Sequence, residues 1–300
     1  MNLRAVTRGT LRGAMSFVAR HTVFSARSKI RSVGFDVISK HAPLIACTSH
    51  RGEIYVVKAG DEWIGRGVFV DGEFDFAKFE QALATIARHR PNWSPELLVD
   101  IGANIGTICI PAVRRGLVER ALAIEPEADN VRLLRANILL NRLEDRVIPI
   151  HSAAGAKDGE TLQLECDGEN FGDHRIRVTE QSGLQGETDR QLVSVPSSSL
   201  DTLIKGQPLD RALIWMDVQG YEGFVLTGAP ATLASKPPIV LEFSPYLLNR
   251  AGSFSALCEA LAHYEGFIDL SSDRGLRPIA ELTELNDSFK GTSFTDILVV

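Results

Sequence analysis

The chain has 300 residues, 44% of them hydrophobic and 23% charged, with a net charge of −6 from 32 basic and 38 acidic side chains. That make-up excludes disordered and fibrous classes and suits one large α/β domain or two smaller ones. The acidic balance also argues against a surface built to hold nucleic acid, which favours a basic domain.

The charge is unevenly spread along the chain. Residues 1–40 carry eight basic side chains (Arg4, Arg8, Arg12, Arg20, Arg27, Lys29, Arg31, Lys40) and one acid, Asp36, which leaves 24 basic against 37 acidic residues, or −13, for the remainder. In residues 1–35, Leu3, Leu11, Met15, Phe17 and Val18 fall loosely on one side of a helical wheel, with Arg8, Arg12 and Arg20 elsewhere. Such a segment reads as a solvated helix, as a transit peptide, or as a peripheral membrane or partner contact through residues 1–31. Residues 52–70 read as short strands (Ile54–Val57 and Val68–Val70) punctuated by Gly60, Gly65 and Gly67. From Phe74 to Arg88 the period changes: Phe76, Phe79, Leu83 and Ile86 recur at helical spacing, which predicts an amphipathic helix ending before Pro91.

After Pro95, strand, loop and helix alternate. Apolar runs at Leu97–Ile101, Ala121–Ile124, Val147–Ile150, Leu213–Met216 and Ile239–Phe243 have the length of buried parallel strands, so a doubly wound α/β sheet is expected, with its ligand site at the carboxyl ends of the strands. A helix is expected over Glu127–Asn141, with Pro126 suited to its first turn and Glu127 and Asp129 at its positive end. Residues 158–200 read as an inserted β-hairpin and loop, with Gln181–Arg190 its most mobile part. The resulting division is 1–35, a basic segment; 36–95, a strand and helix extension; and 96–300, the main domain. Cys47, Cys109, Cys166 and Cys258 form no C-x-x-C pair, and no apolar run approaches the roughly 20 residues that span a bilayer, so a soluble cytoplasmic protein without a metal site is expected.

The most informative stretch is Leu97-Leu-Val-Asp-Ile-Gly-Ala-Asn-Ile-Gly106. A strand ends at Asp100, a small-residue turn follows (Gly102, Ala103, Asn104, Gly106), and a helix is expected from near Thr107. Glycines there leave room for a ligand to approach the turn and for the helix to pack on the strand. Glu125, 23 residues beyond Gly102 at the end of the second strand, is placed to accept hydrogen bonds from ribose hydroxyls. Asp100 beside the turn would repel a pyrophosphate, and the full G-x-G-x-x-G is missing, which disfavours a dinucleotide and leaves an NAD(P)-dependent Rossmann oxidoreductase or epimerase as the alternative.

Several motifs in order carry a more specific resemblance: Val99-Asp-Ile-Gly-Ala-Asn-Ile-Gly106, Glu125-Pro126, Asn137, Asn141, Leu200-Asp201, Met216-Asp-Val-Gln-Gly-Tyr-Glu222, Leu226-x-Gly228-Ala229 and Glu242. Together they resemble the FkbM-type family of S-adenosylmethionine-dependent methyltransferases over about residues 95–300. The resemblance implies a class I methyltransferase fold, a Rossmann-like sheet of seven strands whose last is antiparallel, for which Thr295–Val300 is the candidate. It also implies S-adenosyl-L-methionine as cofactor, with Asp100, Gly102, Ala103, Asn104 and Gly106 against its methionine part, Glu125 on its ribose, and Asp217 beside the sulfonium and the substrate. The implied reaction is O-methylation of a hydroxyl on a small molecule, sugar or glycan. Asp217 and His174, the latter in the inserted hairpin, are the candidate bases, and Trp215, Gln219, Glu222 and Glu242 the candidates for the substrate side. His151, which follows the third strand, lies where adenine would be expected, with a packing role as its alternative.

The chain departs from the family pattern Lys-Ile-Asp-Val-Glu-Gly-x-Glu at two places, with Trp215 for the lysine and Gln219 for the first glutamate. These changes leave the local charge unaltered and keep open a module that binds without turnover. No nucleic-acid partner is expected, since a [DN]-P-P-[YF] run is absent.

Overall fold

The computed structural model describes residues 28–272 and 274–300. The helical wheel read in the basic head therefore lies outside the described residues. In chain order, helix α1 (28–38) precedes a hairpin of β1 (Leu44–Thr48) and β2 (Ile54–Lys58), then helices α2 (Ile64–Asp71) and α3 (Phe76–His89). The alternating part follows as β3 (Leu97–Ile101), α4 (Cys109–Arg114), β4 (Arg120–Glu125), α5 (Ala128–Leu140) and β5 (Val147–His151). Strands β6 (Ala153–Gly155), β7 (Glu160–Cys166), β8 (Arg175–Ile176) and β9 (Gln191–Ser199) form a separate four-stranded sheet, in which β7 and β9 are the antiparallel hairpin. The chain then runs through α6 (Leu200–Leu203), β10 (Ala212–Met216), α7 (Glu222–Thr227), α8 (Pro230–Ala234), β11 (Ile239–Phe243), α9 (Pro245–Ala251) and α10 (Phe254–Leu261). It ends with β12 (Phe267–Asp269), α11 (Leu282–Ser288) and β13 (Thr295–Val299).

The main sheet has the order β12-β13-β11-β10-β3-β4-β5, with β13 antiparallel to both neighbours and the other pairs parallel. Its central strands are buried on both faces, which is why they read as unbroken apolar runs. Side chains alternate between two cores: Leu98, Ala121, Ala123, Leu213, Trp215 and Val240 join Phe76, Phe79 and Ile86 of α3, whereas Leu97, Val99, Ile101, Ile214, Met216 and Leu241 join α7 and α10. The N-terminal elements thus share one core with a face of the sheet. Among the described residues no helix is long and apolar enough to cross a membrane.

Three local expectations are corrected. Val68–Val70 lies in α2, not in a strand: the Asp61 carboxylate accepts hydrogen bonds from the backbone of Trp63, Ile64 and Gly65 (3.1, 3.2 and 2.9 Å), and Gly72 ends the helix at φ 85°. These end signals and the burial of Ile64 and Val68 on one face outweigh β-branched propensity. Helix α5 starts one residue after Glu127, whose carboxylate caps Asp129 and Asn130 (3.0 and 2.7 Å), so Pro126 precedes the cap. The helix after the glycine turn begins at Cys109 and has only six residues.

Asn137 on α5 and Asn141 at its C-terminal cap, one turn apart, have a role that their sequence positions did not reveal. The Asn137 amide accepts from the Val56 N–H (2.7 Å) and donates to the carbonyls of Val56 and Ile105 (3.3 and 3.0 Å); Asn141 does the same for the N–H and carbonyl of Ile54 (3.0 and 2.7 Å). Two side chains thereby replace a strand along the free edge of β2 and dock the hairpin on the sheet domain. Asn137→Ala leaves these buried backbone groups without partners, and thermal or urea unfolding is expected to show a loss of about 2 to 4 kcal/mol; a change below about 0.5 kcal/mol would contradict this account.

Candidate active site

At the carboxyl ends of β3, β4 and β10 lies a cavity with about 1000 Å³ of empty space counted out to its mouth. Its floor is the turn after β3. Gly102 and Ala103 donate their N–H groups to the Ile124 carbonyl (2.9 and 3.0 Å), and the Asp217 N–H reaches the Ile101 carbonyl (3.0 Å), so three strand ends are tied together by backbone bonds. Gly102 and Gly106 have φ of 85° and 92°. The reason for glycine differs from the one expected at the first position. A Cβ on Gly102 would overlap the backbone carbonyl of Asp217, whereas on Gly106 it would lie 2.6 Å from Ile110 and 2.9 Å from Leu134, where helices pack on the strand. Gly102 is thus required by the approach of the neighbouring strand end.

Asp100 is buried beneath the turn, and its Oδ2 accepts from the Cys109 N–H (3.1 Å); burial pushes its carboxyl up to about 7. Glu125, also buried, accepts from the N–H of Asn104 at Oε2 and of Glu127 at Oε1 (both 2.9 Å), and burial again pushes it up to about 7. Asp217 is pushed up to about 6, chiefly by burial and further by the nearby Asp296 and Asp75, against a hydrogen bond from Gln219 (2.7 Å) and the charge of Lys78. Three carboxyl groups at successive strand ends are therefore held in one water-poor place, poised to ionise near neutrality.

Asp100, Gly102, Ala103, Asn104, Glu125, His174, Trp215 and Asp217 line this cavity, whereas Gly106, Gln219, Glu222 and Glu242 do not. Those four support the wall from behind. Glu222 Oε1 accepts from the N–H of Val218 and Gly220 (3.2 and 3.3 Å), bracing the loop after Asp217. Gln219, at φ 55°, donates to Asp217 and to Glu242 Oε1 (3.4 Å). A glutamate there would set a third carboxylate against those two, so the amide suits this arrangement. Trp215 packs on Phe79 of α3 (ring centroids 5.6 Å), and the cation nearest the acids comes from Lys78, beside Phe79, which bridges Asp75 (3.2 Å) and Asp296 (3.1 Å).

The lip over the cavity is the loop from Asp167 to His174. Its Phe171 carbonyl accepts from the side-chain amides of Asn104 (2.7 Å) and Asn130 (3.3 Å), and the Phe171 ring lies under Lys58 Nζ at 4.0 Å. His174 reaches the cavity, but not as the base expected of it. Its Nδ1 accepts from the Asp167 N–H (3.1 Å), so the ring proton sits on Nε2, and burial lowers its pKa to about 4. It can donate a hydrogen bond into the cavity and is a poor proton acceptor. His151 bonds the Pro126 carbonyl (3.1 Å) outside the cavity lining. Within the stretch 181–190, Glu187 is buried and held by Tyr246 (2.6 Å), Arg250 (3.5 Å) and Arg175 (3.6 Å).

Sequence reasoning missed Asn130, Asp75, Phe171 and Asp296, all of which line the cavity. Asn130 stands out: it is buried, and its Oδ1 has no hydrogen-bond partner. An orphaned acceptor beside Glu125, with the carboxyl groups of Asp100 and Asp217, fits a ligand that brings hydroxyl or amino donors and positive charge.

The strand order, with its one reversed strand beside the last parallel one, and the acidic strand ends around a single cavity define a class I methyltransferase fold. The methyltransferase FkbM domain matches residues 100–269, more than half of the chain, and the protein belongs to that family. Among solved structures, the FkbM methyltransferase of Methylobacillus flagellatus is 18% identical, over 69% of this chain and 44% of its own, with a TM-score of 0.42. The Pyrococcus horikoshii TYW2 protein in complex with MeSAdo is 12% identical (86% of this chain, 70% of that one, TM-score 0.38), and the M. jannaschii tRNA m1G37 methyltransferase 13% (86% and 56%, 0.36). The chain thus spans less than half of the Methylobacillus protein. No curated protein matches it.

Proposed function

We propose that the protein transfers a methyl group from S-adenosyl-L-methionine to a hydroxyl oxygen of a small-molecule or carbohydrate acceptor. The observation that carries this reading is the convergence of Asp100, Glu125 and Asp217, from the ends of β3, β4 and β10, on one cavity. Asp100 and the backbone of the Gly102–Gly106 turn hold the amino-acid part of the cofactor, Glu125 accepts from its ribose hydroxyls, and the free Oδ1 of Asn130 takes a further donor of the adenosine. When bound, the cofactor supplies an electrophilic methyl group on a cationic sulfur. The chain's task is then to hold the acceptor oxygen about 3 to 3.5 Å from that carbon and in line with the sulfur. Asp217, ionised at neutral pH with a pKa of about 6, takes the hydroxyl proton. Asp75, Asp296 and Lys78 at the same end supply acceptors and a donor for a polyhydroxylated substrate. The four unpaired cysteines support a reducing, cytoplasmic setting.

Calorimetry with S-adenosylmethionine and with NAD tests the cofactor. Glu125→Ala is expected to weaken binding of the methyl donor by roughly 10- to 100-fold, and Asp217→Asn to stop turnover while binding persists. Binding of NAD alone would overturn the reading. Incubating fractionated extract with methyl-labelled cofactor identifies the acceptor: label in a small molecule or glycan is expected, and label confined to tRNA would replace the acceptor class proposed here.

A further inference from the structure

We propose that helix α1 docks the protein on an anionic phospholipid surface through a face formed by Ile30, Val33, Val37 and Ile38. The helix is amphipathic in the reverse sense to an ordinary surface helix, whose apolar side faces the core. Its inward side is mostly polar and charged: Arg66 on α2 binds Asp36 (2.5 Å) and Ser32 (2.7 Å), Ser28 donates to Asp71 (3.1 Å), and Arg31 lies over the Phe69 ring at 5.3 Å. Phe35 alone of its apolar side chains is buried, against Phe69. The aliphatic residues face solvent, with Ile30 73%, Val33 63% and Val37 55% exposed. Single exposed aliphatics are ordinary on proteins; four within three turns of one helix are not.

Charge decides the occupant. The only acid in residues 1–40, Asp36, is half-exposed and already paired with Arg66, while exposed Lys29 and Lys40 flank the apolar face in a segment of net charge +7. A second copy would bring two such segments together against their repulsion. Four side chains on the 11 described residues of this helix also fall short of the roughly 800 Å² per partner of a stable protein interface. An anionic bilayer attracts the cations and takes a shallow apolar stripe at the level of its headgroups, needing neither a wide interface nor a shaped one.

Flotation of the full chain with vesicles tests this. The intact protein is expected to float with phosphatidylcholine vesicles containing phosphatidylglycerol, less so at high salt, and not with phosphatidylcholine alone. The triple variant Ile30→Glu, Val33→Glu, Val37→Glu is expected to bind about ten-fold or more weakly, with its melting temperature and cofactor binding retained because the inward contacts are untouched. The proposal is overturned if the intact chain stays unbound, or if the variant floats equally. It is likewise overturned if the intact chain is a dimer in solution that the variant dissociates, which would assign the face to a second copy.

Discussion

Gly102→Ala is expected to abolish cofactor binding and to lower stability by about 3 kcal/mol, although it adds a single methyl group. The added Cβ meets the backbone carbonyl of Asp217, which cannot rotate away as a side chain could, and the residue must also keep φ near 85°. Relief requires the strand ends of β3 and β10 to separate, which breaks the bond from the Asp217 N–H to the Ile101 carbonyl and moves Asp217 relative to Asp100. Calorimetric titration and thermal melting of the variant check both parts. Gly106→Ala is the useful companion, because its clash is with the flexible ends of Ile110 and Leu134, so its loss of stability is expected to exceed its loss of cofactor affinity. Retained affinity in Gly102→Ala would show that the two strand ends are not held as rigidly as their geometry implies.

The second large effect is on pH. Asp100 and Glu125 are pushed up to about 7 and Asp217 to about 6, all mainly by burial. A carboxyl whose pKa is raised on folding keeps its proton in the folded state after the unfolded chain has lost it. These groups therefore oppose folding progressively as pH rises from about 4 to about 7, and for Asp100 the full cost is on the order of 4 kcal/mol. A cationic ligand in the cavity favours the ionised forms, so its binding releases protons and tightens with pH. Affinity for S-adenosylmethionine is expected to rise several-fold between about pH 5.5 and pH 8, and the advantage of Asp100→Asn over the parent in ligand-free melting temperature is expected to grow over the same range. A flat or falling affinity would exclude a charge match between these carboxyl groups and the ligand.

The sheet was legible because burial on both faces forces unbroken apolar runs, and such runs are visible without a structure. The glycine turn and the acids at Asp100, Glu125 and Asp217 were legible for a related reason: each sits where an apolar run stops. What local sequence concealed is what distant segments contribute. Val68-Phe69-Val70 has strand composition, and the decisive signals for α2 are the Asp61 cap and Gly72, which lie outside it. Asp75 and Phe171 reach the cavity from loops whose paths no periodicity encodes. Asp296 did leave a trace, as the one charge inside the apolar run Thr295–Val299, and Asn130 another, as a polar residue in the first turn of a helix beginning next to Glu125. That His174 is a poor proton acceptor could not be read at all, since it depends on burial and on one backbone N–H brought to Nδ1.

The alternation of side chains between the two cores also fixes which side of the sheet the chemistry occupies. Asp100 follows Leu98 by two residues, Glu125 follows Ala123, Asp217 follows Trp215, Glu242 follows Val240 and Asp296 precedes Leu298, and every one of those neighbours belongs to the core shared with α3. Parity thus gathers five acids from five strands on a single side, over the elements that come before residue 95. Deleting one residue within any of these strands would turn its acid to the opposite side, among the aliphatic side chains of α7 and α10. A variant that gains or loses one residue in β3, β4 or β10 is therefore expected to lose the site, whereas a change of two residues keeps the acid on its side of the sheet.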